Sequence, residues 1–147
     1  MIQDRYHYLA AKHVVALAHE FKLAPTEVFE VATFYHHFDV IRENETPPPS
    51  LTVRVCDSMS CRMAGAENLI QELDQKFNES IRVKRVPCVG RCQHAPVAVV
   101  GQNPVDLANP VKVQQKSELN DTIPSLPEYV DYNAYRTAGG YQVYQSC

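Results

Sequence analysis

The chain has 147 residues, of which 45% are hydrophobic and 21% are charged, and its formal net charge is −3 at pH 7. This length accommodates one modest domain with appendages, and the charge gives no reason to expect a nucleic-acid partner, which needs a concentrated basic face. The chain has no run of about 18 apolar residues, so we predict no membrane span. No long apolar stretch follows a basic head at the N-terminus, so we expect no secretory signal and a cytoplasmic location.

Residues 1–46 are predicted to form a helical N-terminal segment, a hairpin of two helices. The apolar face of the first helix repeats at spacings of three and four and consists of Tyr6, Leu9, Ala10, His13, Val14, Leu17, Ala18 and Phe21. A second helix is expected to begin at Pro25, because the missing N–H of proline is harmless in the first turn. Its predicted buried side is Val28, Val31, Ala32 and Tyr35. Such a hairpin is too small to bury a core alone, so we expect it to pack on the next domain or on a partner.

A proline-rich segment then marks the main domain boundary. Residues 43–50 read Glu-Asn-Glu-Thr-Pro-Pro-Pro-Ser, and three successive prolines predict a stiff, extended linker. Residues 51–116 form the second predicted domain. Its predicted elements are a strand at 51–55, a helix at 63–77, strands at 81–86 and 97–100, a turn at 101–104, a fourth strand from Val105 and a short helix opened by Pro110. This order predicts a small α/β sandwich, and with the hairpin the fold class is α+β.

Residues 117–147 differ in composition from the rest. The first half of this region is acidic and carries prolines, and the second half is rich in tyrosine, with no clear hydrophobic period in the first half. We predict an extended tail that lies on another surface. The terminal Cys147 is interpreted as a leftover thiol.

Cys56, Cys61, Cys88 and Cys92 form two pairs, C-x4-C and C-x3-C, separated by 26 residues. Each pair follows a predicted strand, with Cys61 expected just before a helix that starts near Arg62. Adjacent parallel strands end about 5 Å apart, so both pairs should reach one edge of the sheet. Without an export signal, five cysteines favour metal or redox chemistry over a disulfide framework.

Three kinds of site remain open at this point. Four thiolates suit either an iron–sulfur cluster or structural zinc, and the wide x4 and x3 loops favour the cluster because zinc pairs more often use x2 spacing. With zinc, the protein would be a structural or interaction module. Dithiol redox chemistry on an empty scaffold usually needs C-x-x-C, which is absent here.

Several neighbours of the cysteines have predicted roles. Gly90 can adopt a positive φ and turn its N–H toward a sulfide. Arg91, between two ligands, is the strongest candidate for a cation that raises the reduction potential, and its alternative is an ordinary exposed arginine. His94 is interpreted as a surface or supporting histidine. His36 and His37 are adjacent on a helix and therefore chelate poorly, so we interpret them as interface or surface residues.

The motif Ala-Thr-Phe-Tyr at 32–35, the C-x4-C pair, and Cys-Val-Gly-Arg-Cys at 88–92 followed by Ala-Pro together resemble the thioredoxin-like 2Fe-2S ferredoxin family. The resemblance covers about residues 5–115. That family includes the small iron–sulfur subunit of the NADH dehydrogenase module of respiratory complex I. The resemblance implies a thioredoxin-like domain at 51–116 and a 2Fe-2S cluster ligated by Cys56, Cys61, Cys88 and Cys92. It implies an electron-transfer component, with no substrate site in this chain alone.

The tail carries a second resemblance. The sequences Tyr-Val-Asp-Tyr at 129–132 and Arg-Thr-Ala-Gly-Gly-Tyr at 136–141 are similar to the beginning of the flavoprotein that carries FMN and the NADH site. The run 99–106 most resembles NAD-dependent formate dehydrogenases in which both parts are fused. The implied partners are this FMN/NADH-binding flavoprotein and further iron–sulfur subunits. FMN and NAD are expected only on the partner, because their motifs are absent from this chain.

Overall fold

The structure is a computed structural model that describes residues 2–78, 80–119 and 128–145. Its main sheet has four strands: β3 (Thr52–Cys56), β4 (Arg82–Val86), β5 (Ala98–Val100) and β6 (Asn103–Val105). Their spatial order is β4-β3-β5-β6, with β3 parallel to β4 and the other neighbours antiparallel. The fourth strand starts at Asn103, inside the segment predicted as a turn, because the hairpin turns already at residues 101–102.

Helices cover this sheet and complete the predicted sandwich. They are α4 (Met59–Met63), α5 (Ala66–Phe77) and α6 (Pro110–Glu118), and Pro110 begins α6 as predicted. The predicted helix 63–77 is thus divided, because Gly65 adopts a φ of 91° between α4 and α5. The core that they enclose includes Val53, Val55, Leu69, Ile70, Leu73, Val97 and Val113. The predicted α+β class is confirmed.

Leu73 lies at the centre of this core and is fully buried. Replacing it with alanine should lower the free energy of unfolding by about 2–5 kcal/mol, because the lost methyl groups leave a cavity that neighbours refill only in part. Urea denaturation followed by circular dichroism measures this loss. The exposed Gln75 on the same helix provides the control, since Gln75→Ala should be nearly neutral. Equal stabilities for the two variants would contradict the assignment of α5 to the core.

The helical segment is less regular than the sequence pattern predicts. It contains α1 (Ile2–Tyr6), α2 (Ala11–Phe21) and α3 (Pro25–Phe34), with strands β1 (Leu9–Ala10) and β2 (Val40–Ile41) paired in parallel. The first predicted helix is interrupted after Tyr6, where His7 adopts a φ of 64° and donates its N–H to the carbonyl of Gln3. The predicted start of the second helix at Pro25 is confirmed.

The predicted buried side of α3 is partly wrong. Ala32 is buried and Val28 is half-buried, but Val31 and Tyr35 are 57% and 54% exposed. The helix packs mainly against α2, so one side of the hairpin remains uncovered. An apolar groove of about 620 Å³ lies there, between α1, α2 and α3. This exposure agrees with the expectation that the hairpin cannot bury a core alone.

Buried ion pairs join the helical segment to the sheet. Asp39, just before β2, is 3.6 Å from Arg54 of β3, 2.5 Å from Arg82 and 3.4 Å from Lys84 of β4, measured between nitrogen and oxygen. Arg54 is 7% exposed, and its guanidinium also donates to the carbonyls of His36 at 2.8 Å and His37 at 2.7 Å. The helical segment therefore packs on the second domain. The sequence pattern alone left open whether it packs there or on a partner.

His37 makes this junction sensitive to pH. Its Nε2 is buried with no hydrogen-bond partner among the described residues, and burial, aided by the charge of Arg54, lowers the pKa of its imidazole below 6.5. The unfolded chain then binds the proton more readily than the folded chain. The stability that comes from keeping His37 neutral is therefore fully present above pH 6.5 and is lost as the pH falls below that value. We expect His37→Gln to flatten this loss in urea titrations between pH 7.5 and 5. His36→Gln, at the exposed neighbouring position, should keep the wild-type profile.

The tail contains two short helices, α7 (Tyr132–Thr137) and α8 (Gln142–Gln145), so the prediction of an extended conformation is wrong for these residues. Asp131 caps α7 by accepting the N–H of Ala134 at 2.8 Å. The side chains from 128 to 138 are exposed, which is compatible with a segment built to lie on another surface. Cys147 lies outside the described residues. None of the helices in the described part of the chain has the length and apolar character needed to cross a membrane.

Candidate metal centre

Both cysteine pairs lie at the same end of the two parallel strands, as predicted. Cys56 is the last residue of β3, where it pairs with Val86, the last residue of β4. Cys61 lies inside α4 rather than before a helix, and Cys88 lies in the loop that follows β4. Cys92 begins a single 3₁₀ turn at Cys92–His94. Cys56 thus belongs to the strand itself and not to the loop after it, which fixes its position firmly.

The two pairs differ in their exposure to solvent. Cys56 and Cys61 are each 1% exposed and belong to the hydrophobic core, whereas Cys88 and Cys92 are exposed. The difference follows from their elements, because Cys56 ends a central strand and Cys61 lies on the buried side of α4. The second pair lies on a surface loop. One side of the site is therefore sealed by protein and the other is open.

The sulfurs are arranged two by two. The Sγ atoms of Cys88 and Cys92 are 3.3 Å apart, and the thiols of Cys56 and Cys61 are hydrogen-bonded to each other. No group of three or more His, Cys, Asp or Glu side chains within residues 2–78, 80–119 and 128–145 is arranged to hold a single metal ion. Each pair can supply two of the four ligands of a tetrahedral metal.

Backbone N–H groups are directed at the sulfurs. Gly90 adopts the positive φ that was predicted, 80°, and donates its N–H to Sγ of Cys88 at 3.4 Å. Its predicted role toward a sulfide stays a prediction. Ser58 and Val89 donate their N–H groups to the Cys56 sulfur. Such donors stabilise thiolates without adding a mobile charge. The contributions of Ser58 and Val89 could not be found from sequence, because any residue type can offer a backbone N–H.

These surroundings separate the thiols in acidity. Burial opposes ionisation of Cys56, but the N–H donors and the Cys61 thiol outweigh it, so the net pKa of Cys56 is lowered. Burial, with the hydrogen bond to Cys56, raises the pKa of Cys61 to about 11. The hydrogen bond with Cys88 raises the pKa of Cys92. Because ligands must be deprotonated, occupation of the site would release protons. Cys56, whose pKa is lowered, would lose its proton more readily than Cys61 or Cys92.

Basic residues near the cysteines are already paired with carboxylates. Arg91 forms two hydrogen bonds with Asp106, Nε to Oδ1 at 2.7 Å and Nη2 to Oδ2 at 2.5 Å, and the bonds lower the pKa of Asp106. Arg62 contacts Asp57 at 2.8 Å. Asp106 offsets part of the charge of Arg91, and the predicted effect of Arg91 on the reduction potential stays a prediction. Sequence reasoning missed Asp106, because no local pattern connects residues 15 positions apart.

The histidines do not converge on the cysteines. His94 is half-buried, and its carbonyl accepts the N–H of Leu107 at 2.8 Å, which attaches the cysteine loop to the segment after β6. His36 is exposed and His37 half-buried at the junction described above. Phe34 is 74% exposed, and with Tyr35 it lines an open groove of about 610 Å³ that extends to Cys88. The interpretation of these residues as interface or supporting groups stays a prediction.

Comparisons with known proteins point to one family. Residues 1–118 match the family model of the thioredoxin-like 2Fe-2S ferredoxins. NADH-quinone oxidoreductase subunit 2 of Thermus thermophilus is 28% identical over 112 residues, which are 70% of this chain and 59% of that protein. A subunit of the NADH-quinone oxidoreductase of Aquifex aeolicus is 26% identical over 123 residues, which are 78% of this chain and 74% of that protein.

A solved structure gives the same fold. One chain of an NAD+-reducing NiFe hydrogenase superposes with a TM-score of 0.56 at 24% identity. The superposition covers 78% of this chain but only 20% of that chain. The predicted thioredoxin-like fold is confirmed. The 147 residues thus correspond to a small part of that hydrogenase chain and to just over half of the Thermus protein.

Proposed function

Because the chain belongs to the thioredoxin-like 2Fe-2S ferredoxin family, we propose that it is an electron-transfer module whose cluster is held by Cys56, Cys61, Cys88 and Cys92. The single observation that supports the ligand assignment is that both cysteine pairs lie at the same end of the parallel strands β3 and β4, with Cys56 as the last residue of β3 and Cys88 in the loop after β4. Cys56 and Cys61 would ligate one iron, and Cys88 and Cys92 the other. A bound cluster supplies one-electron chemistry.

The chain's own residues hold and shield this group. Strand β3 and helix α4 hold Cys56 and Cys61 inside the core, so we expect these two ligands to keep their positions when the charge of the site changes. The N–H of Gly90 and those directed at Cys56 offset negative charge on the sulfurs. The exposed Cys88 and Cys92 give the open side through which an electron would enter or leave.

The partner that we propose is a flavoprotein carrying FMN and the NADH site, in a complex with further iron–sulfur subunits. The relatives named above are subunits of NADH-quinone oxidoreductases and a chain of an NAD+-reducing hydrogenase, which supports an NAD(H)-linked complex. The finer assignment to an NAD-dependent formate dehydrogenase rests on the resemblance of residues 99–106 and of the tail. The cytoplasmic location, the division into 1–46, 51–116 and 117–147, and the role of the tail remain predictions.

The decisive experiment is chemical analysis of protein purified without oxygen. We expect about two irons and two acid-labile sulfides per chain, visible absorbance, and an electron paramagnetic resonance signal after reduction. One zinc per chain without sulfide would contradict the proposal and support the zinc-stabilised interaction module. Mixing the reduced protein with a candidate flavoprotein under stopped flow then tests electron transfer to the flavin.

A further inference from the structure

The ion pair between Arg91 and Asp106 joins the cysteine loop to a distant part of the chain. Arg91 lies between Cys88 and Cys92, and Asp106 directly follows β6. The guanidinium and the carboxylate form two parallel bonds, at 2.7 and 2.5 Å, the geometry that fixes an arginine most firmly. Their side chains are 40% and 31% exposed, so the pair is only partly shielded from solvent.

Other basic groups also face Asp106. His94 and Lys112 act on its carboxylate electrostatically, and the Nζ of Lys112 contacts the backbone carbonyls of Asp106 and Leu107 at 3.3 and 3.1 Å. The carboxylate therefore stands among three basic side chains, and one of them, Arg91, belongs to the loop that carries Cys88 and Cys92. Removing the charge of Asp106 would leave these basic groups uncompensated.

A cation close to a redox centre stabilises whichever state carries more negative charge. Reduction adds one electron to an anionic all-cysteine site, so an unpaired arginine there favours the reduced state, whereas a paired one contributes only the field of a dipole. We propose that Asp106 is a positioning residue that holds the side chain of Arg91, and with it the cysteine loop, at the end of β6, and that it keeps the reduction potential low by cancelling the charge of Arg91. This inference rests on the proposed function.

The direction in which the midpoint potential changes distinguishes charge cancellation by Asp106 from simple mechanical support of the loop. Asp106→Asn keeps the shape and removes the negative charge, so the midpoint potential should rise. Arg91→Gln leaves the carboxylate of Asp106 in place and should lower the midpoint potential. The double variant, with both substitutions, should have a midpoint potential close to that of the wild type. At a fixed solution potential we expect each single change to alter the reduced-to-oxidised ratio about threefold to tenfold, in opposite directions. Tenfold corresponds to about 59 mV for one electron.

The measurement is a redox titration of the purified protein with dithionite as reductant and soluble mediators, followed by visible absorbance and electron paramagnetic resonance. Glu20→Gln, on the exposed surface of α2, is the control for removing one distant negative charge and should leave the midpoint unchanged. Asp106→Glu, which keeps the charge, should stay close to wild type.

Shifts of both single variants in the same direction, or no shift, would overturn the inference while leaving the proposed cluster intact. Failure of Asp106→Asn to load a cluster that Asp106→Glu does load would also overturn it, because the pair would then be a structural brace alone. A wild-type protein without iron and acid-labile sulfide would overturn the proposed function and this inference together.

Discussion

Replacement of Cys61 with alanine is expected to abolish the visible spectrum and to lower the bound iron at least about tenfold. Alanine offers no donor, and Cys61 is buried beside Cys56 at the end of β3, where no solvent ligand can take its place. Removal of supporting groups around a metal already costs about 10–100-fold in affinity, and loss of a direct ligand should cost more. Iron and sulfide analysis of protein purified without oxygen measures the effect.

Cys147→Ser provides the matched control, since it also removes one thiol but should retain the complete spectrum. Circular dichroism of both variants shows whether the fold survives. A Cys61→Ala protein that keeps full iron and sulfide would exclude Cys61 as a ligand. Cys88→Ala should also lose the cluster, and any difference between the two would reflect the exposed position of the second pair.

Replacement of Asp39 with alanine is expected to lower the free energy of unfolding by about 3–5 kcal/mol, the usual cost of removing one partner from a buried ion pair. Asp39 is 8% exposed and faces three cations, Arg54, Arg82 and Lys84. Without the carboxylate, the guanidinium of Arg54 would remain buried with less compensation. Urea denaturation at pH 7.5 measures the loss.

The double variant Asp39→Leu/Arg54→Met tests whether charge is responsible. Replacing both buried partners with apolar side chains should restore much of the lost stability, because the buried charge of Arg54 is removed as well, while the more exposed Arg82 and Lys84 can be solvated. Asp74→Ala, on the exposed side of α5, should be nearly neutral. A double variant as unstable as Asp39→Ala would indicate instead that the hydrogen bonds from Arg54 to the His36 and His37 carbonyls carry the junction.

Strand β4 and the starts of two helices could be predicted from the residues that form them. Alternation over residues 82–86 predicted β4, and Pro25 and Pro110 marked helix starts because proline has few other places in a helix. The meeting of the cysteine pairs followed from the rule that parallel neighbours end together. These features need only the nearest residues or one rule of sheet topology.

Features that depend on distant residues were missed. The apolar spacing from Tyr6 to Phe21 predicted one helix, but pairing of β1 with β2 interrupts it after residue 6. The apolar residue Val31 was predicted to be buried, yet a hairpin of two helices has no layer to cover that side. Arg91 was predicted to act as a cation near the cysteines, but its pairing with Asp106 was not predicted, because Asp106 follows a strand that returns from elsewhere in the sheet.

The junction at Asp39 has a consequence for how this protein can be divided. The prolines at 47–49 form an obvious boundary in the sequence, but Arg54, Arg82 and Lys84 are all paired with Asp39 across it. A truncated protein starting at residue 51 would present a cluster of uncompensated positive charge where the helical segment had packed. We therefore expect that the two units of sequence on either side of the linker do not fold independently. Minimal versions of this module should retain the segment from residue 36 onward or neutralise those cations.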